Sequence, residues 1–132
     1  MSDADMIHNQ DPAKLASLFG ADAVLYVTIE KWESRYAILS TTTEVQIQYV
    51  IKDGTTSAEL WSHKQSMIYQ PAQNSSGIAG LIANAIAAAI EKAVPNYMPL
   101  ARQANARSLI TPHLGIPAGP YSKVYNKDFN KF

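Results

Sequence analysis

The chain has 132 residues, 47% of them apolar and 17% charged, which is the composition of one globular domain somewhat poor in charge. Eleven Lys and Arg balance eleven Asp and Glu. That balance leaves no electrostatic footprint for nucleic acid, and no basic run points to an anionic membrane. Cysteine is absent, which excludes a disulfide framework, a thiolate metal site and a thiol nucleophile.

The opening "MSDADMIHNQ" is polar and has neither the basic nor the apolar region of a signal peptide. Asp11-Pro12 then starts a short helix, Asp as N-cap and Pro at the first helical position. Leu15, Leu18 and Phe19 give that helix its apolar side, and Gly20 is placed to end it in the left-handed conformation.

"ADAVLYVTIEKW", ending at Trp32, reads as a strand. From Ala37 to Ile51 the odd positions are apolar or Thr, while Ser40, Thr42, Glu44, Gln46 and Gln48 are polar. Period two over that length predicts a long strand with its odd face buried. "KDGTTS" supplies an Asp-Gly turn, and "AELWSHKQSMIYQ" reads as a third strand, completing an antiparallel meander.

"GIAGLIANAIAAAIEKAV", Gly77 to Val94, places Ile78, Leu81, Ile82, Ala85, Ile86, Ala89, Ile90 and Ala93 on a helical lattice. A spanning helix needs about 20 predominantly apolar residues. Asn84, Glu91 and Lys92 interrupt this one, so the expectation is a core helix lying on the sheet. A further helix runs from about Tyr97 to Arg107, with Leu100, Ala101 and Ala104 on one side and Pro99 in its first turn. Residues 108–132 form an irregular tail rich in Pro and Gly, with Leu109, Ile110, Leu114, Ile116 and Tyr121 laid along the surface. The fold expected is a single α+β domain: helix, three-stranded antiparallel meander, two helices and the tail, with helices on one face of the sheet.

Chemistry-bearing patterns are sparse. His8, His63 and His113 have no ligand spacing, and no phosphate loop or nucleophile elbow occurs. His63 with Glu59 on the same strand face reads as a solvated pair, Glu30 and Glu33 as charges flanking a turn, and the "NSS" at Asn74 as a polar lead-in to the following helix. No metal, cofactor or catalytic set is expected. Tyr26, Trp32, Tyr36 and Ile38 stand out instead, as apolar groups on the sheet surface left over beside the odd-numbered core face. Such groups suit a protein-partner surface. With both outer strands carrying unpaired backbone, they suggest a homodimer formed through a sheet edge or this aromatic face.

Phe19-Gly20-Ala21-Asp22-Ala23, Asp53-Gly54-Thr55-Thr56 with Leu60-Trp61, and Gly119-Pro120 together resemble a family of bacterial lipoproteins of unknown function. That family is similar to the curli-secretion lipoprotein, to penicillin-binding-protein activator lipoproteins and to the amino-terminal domain of the translocation protein TolB. The resemblance, covering about Ser2 to Tyr121, implies a non-enzymatic envelope protein on the periplasmic side of the outer membrane, accessory to assembly or secretion. A small-ligand or cell-wall-fragment binding domain is the alternative. Its motifs are structural: Gly20 ends a helix, Asp53-Gly54 turns a hairpin and Leu60-Trp61 packs. Family members carry a longer N-terminus with a lipidated cysteine, so the chain is expected to correspond to the C-terminal part of such a lipoprotein.

Overall fold

The structure, a computed structural model, describes residues 3–37, 40–69, 97–111 and 115–127. In chain order the elements are α1 (Asp3–His8), α2 (Pro12–Phe19), β1 (Ala23–Ala37), β2 (Ser40–Asp53), β3 (Glu59–Tyr69) and α3 (Met98–Asn105). A π-helical turn, Ala106–Ile110, continues directly from α3. The strands form one antiparallel sheet ordered β1-β2-β3, so the chain is α+β as expected. The expected helix from Gly77 to Val94 lies outside the described residues, as do the "NSS" lead-in, Ile38 and His113. Among the described residues no helix is long and apolar enough to cross a membrane.

The chain divides into two compact units, Met1–Thr28 with Gln48–Lys64 and Ser108–Phe132, and Ile29–Ile47 with Gln65–Arg107. In the first unit, α2 is built as its sequence predicts. The Asp11 carboxylate accepts from the Ala13 amide at 3.1 Å, Pro12 opens the helix, and Gly20 closes it at φ 61°. Only Leu15 and Ala16 of α2 are buried; Leu18 and Phe19 stay 71% and 82% exposed, contrary to expectation. The short helix offers one narrow buried stripe, and its last turn lies past it.

α1 was not legible as a helix, because no apolar periodicity marks it and none of its residues is buried. Asp3 and Asp5 sit in its first turn, where carboxylates suit the helix dipole, and His8 in its last turn reaches the Thr28 hydroxyl.

The β2–β3 connection departs from a tight Asp-Gly turn. Asp53 accepts from the amides of Thr55 and Thr56 and from the Thr56 hydroxyl, at 2.7 to 3.0 Å. The left-handed residue is Ser57, at φ 60°, not Gly54. Gly54 is needed for space instead: a Cβ there would lie 2.7 Å from the Ala16 Cβ and 2.8 Å from the Asp22 carbonyl oxygen. The Gly54 amide donates to that same carbonyl.

In the second unit, Thr41, Thr43, Val45 and Ile47 of β2 are buried and Thr42, Glu44 and Gln46 are not, so the predicted alternation holds. Tyr49 continues it in the first unit, fully buried. Leu100, Ala101 and Ala104 form the buried stripe of α3, and Pro99 stands in its first turn where no intrahelical donor is lost. Ser108, expected to begin the irregular tail, is a buried member of the π-helical turn.

Candidate functional site

The side chains singled out as a partner surface fall in three different settings. Strand β1 runs on to Ala37, five residues past its expected end, so Glu30 and Glu33 belong to a strand and not to a turn. Ser34 Oγ lies 3.1 Å from Thr43 Oγ1, which puts the even positions of β1 on the face that β2 buries with its odd positions. Trp32, Ser34 and Tyr36 therefore lie on the same sheet face as Thr43, where Trp32 and Tyr36 nonetheless remain exposed. The parity established along β2 does not carry back through a hairpin into β1.

Tyr26 is 8% exposed and so is not surface. The His8 ring meets it edge-on at 5.1 Å, and the Lys52 ammonium stands 5.6 Å from its centroid. His8 Nε2 lies 2.9 Å from Thr28 Oγ1, which ties α1 to β1. Burial, reinforced by the Asp11 carboxylate, pushes the Tyr26 phenol above its usual range. Trp32 is 40% exposed but stacks on Tyr97, with centroids 5.1 Å apart and planes at 29°. Tyr36 is 44% exposed.

The opposite face, which sequence reasoning passed over, carries the exposed aliphatics. In the first unit Leu25 and Val27 are each at least 40% exposed, and Leu60 is 58% exposed rather than packed as its motif suggested. In the second unit Ile29 and Ile68 are 58% and 60% exposed. Beside Ile29, the Lys31 ammonium bonds both oxygens of Glu44 at 3.1 and 3.2 Å, and Ser66 Oγ donates to Glu44 at 3.3 Å. Lys31 and then Ser66 hold the Glu44 carboxyl below its ordinary range against the opposing effect of burial. The signal available in sequence was the unbroken odd run Leu25, Val27, Ile29 on β1.

His63 is half-buried and stacks on Trp61 at 5.9 Å, while Glu59 is exposed. Among the described residues no three His, Cys, Asp or Glu are grouped to hold a metal ion.

The motif residues converge in the first unit, where Ser57 Oγ donates to Asp11 Oδ1 at 2.6 Å and Gly54 packs on Ala16. Residues 1–121 match the family model described as "Putative lipoprotein GNA1162-like". The chain belongs to this family. It is 31% identical over 122 residues to a relative named "Putative lipoprotein NMB1124/NMB1162" from Neisseria meningitidis serogroup B. The match covers 91% of this chain and 57% of the relative, so the chain spans little more than half of that relative's length. It is similar as well to the crystal structure of lipoprotein GNA1162 from Neisseria meningitidis, with TM-score 0.51 and 31% identity over 73% of this chain and 65% of that one.

Proposed function

We propose that this chain is a non-enzymatic, protein-contact domain of a cell-envelope lipoprotein, and that it associates through the β1 edge of its sheet, in the first instance with a second copy of itself. The supporting observation is that β1, fifteen residues long, pairs with β2 alone among the described residues, and that Ile29 on it is 58% exposed. A long apolar edge strand is a template for pairing, and a two-fold arrangement closes the β1 edge of both copies at once. Family membership supports the envelope address. A place on the periplasmic side of the outer membrane, in an assembly or secretion system related to those of curli, penicillin-binding-protein activation or TolB, is the finer part of the proposal. The family's motif residues Gly20, Asp53 and Gly54 act in capping, turning and close packing, which supports a contact role over a catalytic one.

Sedimentation equilibrium at micromolar concentration tests the association. A mass of twice 14.4 kDa is expected, falling to a monomer in Ile29→Asp. Ile29 is preferable to Trp32 as the probe, because Trp32 is engaged with Tyr97 and its replacement disturbs the domain itself. A monomer in the unmodified chain would overturn the pairing.

A further inference from the structure

Strand β1 is fifteen residues long, and the odd positions in its first half carry exposed aliphatic side chains. Leu25, Val27 and Ile29 are 40%, 47% and 58% exposed, so the exposure rises toward Ile29. Charges follow directly. Lys31 is held by Glu44 at 3.1 Å, and Glu33 by Arg35 at 2.6 Å. Both ion pairs close within one copy of the chain. Matching these charges between copies therefore gains little, whereas setting like charges directly opposite each other is destabilising.

A two-fold axis perpendicular to a sheet lays an edge strand antiparallel to its copy and keeps each face on its own side. Opposed residues then lie equally far on either side of one axial residue, which meets itself. That condition sorts the registers open to β1. An axis at Glu30 pairs all fifteen residues but opposes Glu30 to itself. An axis at Lys31 opposes Lys31 to itself, and one at Glu33 opposes Glu33 to itself and Lys31 to Arg35. An axis at Ile29 pairs thirteen residues, Ala23 to Arg35, with no like charges opposed. Axes at Thr28 and Trp32 also avoid like charges but pair only eleven residues, and the Trp32 axis sets Ile29 against Arg35.

We infer that two copies of the chain pair antiparallel through β1 with the two-fold axis at Ile29. The inference rests on the self-association proposed above and adds its register. Ile29, the most exposed of the three aliphatics, meets Ile29 of the other copy. Val27 meets Lys31 of the other copy, whose methylene stem covers it while the ammonium stays with Glu44. Thr28 meets Glu30 of the other copy. In this register Ile29→Asp opposes two carboxylates at the axis, which is why it separates the copies.

Position 28 tests the register by charge. Thr28→Lys brings an ammonium against Glu30 of the other copy at two symmetric places, whereas Thr28→Glu brings a second carboxylate. Both variants lose the same contact between Thr28 Oγ1 and His8, so the difference between them reports the facing charge. Sedimentation equilibrium at low salt should give Thr28→Lys a dimer Kd roughly tenfold below that of Thr28→Glu. With the axis at Trp32, position 28 would face Tyr36 and the two variants would dimerise alike. Distances between copies read the register directly. The chain has no cysteine, so single-cysteine variants at positions 27, 31 and 33 carry one spin label per copy. Positions 27 and 31 should show equal separations between copies, and position 33 a separation about 13 Å longer. A parent chain that sediments as a monomer overturns the self-association and this register with it. A dimer in which the two position-28 variants have equal constants, or in which position 33 lies as near its copy as position 31, overturns the register and leaves the association standing.

Discussion

Gly54 sits so close to Ala16 that position 54 has no room for a methyl group. The nearest neighbours of a Cβ there would be the Ala16 Cβ at 2.7 Å and the carbonyl oxygens of Asp22 and Ala21 at 2.8 and 2.9 Å. Two of the three are backbone, which cannot rotate away. Gly54→Ala should therefore push α2 from the turn and destabilise by about 3 kcal/mol, the upper part of the usual overpacking range. Gly20→Ala makes the contrasting case: no atom lies within 4 Å of its Cβ, but φ is 61°. Only backbone strain acts there, about 1 kcal/mol. Urea unfolding of both variants distinguishes the two causes, and equal losses would contradict the steric origin of the effect at position 54.

The same turn should make stability fall in acid. Ser57 and the Ala13 amide lower the pKa of Asp11, and the Thr56 and Thr55 amides lower that of Asp53, both from an ordinary value near 3.8. A carboxylate whose folded pKa lies below its unfolded one stabilises the fold at every pH above the unfolded value. That contribution disappears as pH falls from 3.8 through the depressed folded values. Thermal melts between neutral and strongly acid pH should show this loss, and Asp53→Asn should flatten it. An Asp53→Asn melting curve that drops with acid as steeply as the parent's would refute the assignment.

The burial pattern of β2 predicts a sharp contrast between neighbours. Ile47 is 3% exposed, whereas the adjacent Gln46 is only half-buried. Ile47→Ala should cost about 2–5 kcal/mol through lost contacts and the cavity left behind. Gln46→Ala should stay within about 0.5 kcal/mol, as replacements away from a packed core usually do. Chemical denaturation of the pair checks the register, since a slip of one residue along the strand would exchange the two results.

β2 was readable because its alternation runs unbroken through Thr41, Thr43, Val45, Ile47 and Tyr49, enough positions to fix which face is buried. The ends of α2 were readable because Asp11, Pro12 and Gly20 each act through their own backbone geometry. The face of β1 was not. Its odd set, Leu25, Val27 and Ile29, and its even set, Tyr26, Trp32 and Tyr36, are both apolar, so hydrophobicity alone does not choose between them. What chose was tertiary: His8 packs against Tyr26 and Tyr97 stacks on Trp32, and both partners are remote in sequence. Leu18 and Phe19 misled for a related reason, since helical spacing shows which residues share a side but not how wide the covered stripe is. Of the aromatic surface expected from sequence, Tyr26 is buried, Trp32 and Tyr36 stay 40% and 44% exposed, and Ile38 lies outside the described residues.

Trp32 provides the most direct test of that reassignment. Its ring stacks on Tyr97 at 5.1 Å, immediately before α3, although 40% of the residue remains exposed. A residue reserved for a partner should contribute little to the stability of the isolated chain; one that fastens α3 to the sheet should contribute measurably. Aromatic pairs of this geometry add about 0.5–1.5 kcal/mol beyond the area they bury. In a double-mutant cycle, Trp32→Ala and Tyr97→Ala should each destabilise the fold, and the combined variant should lose less than their sum by about 1 kcal/mol. Trp32→Phe should retain part of the coupling, because a smaller ring still meets Tyr97. The cycle is measured at a concentration where only monomer is present, so a contact between copies cannot contribute. Coupling near zero there would return Trp32 to the partner surface, whereas coupling of about 1 kcal/mol would make it a packing residue and leave Ile29 as the cleaner probe of association.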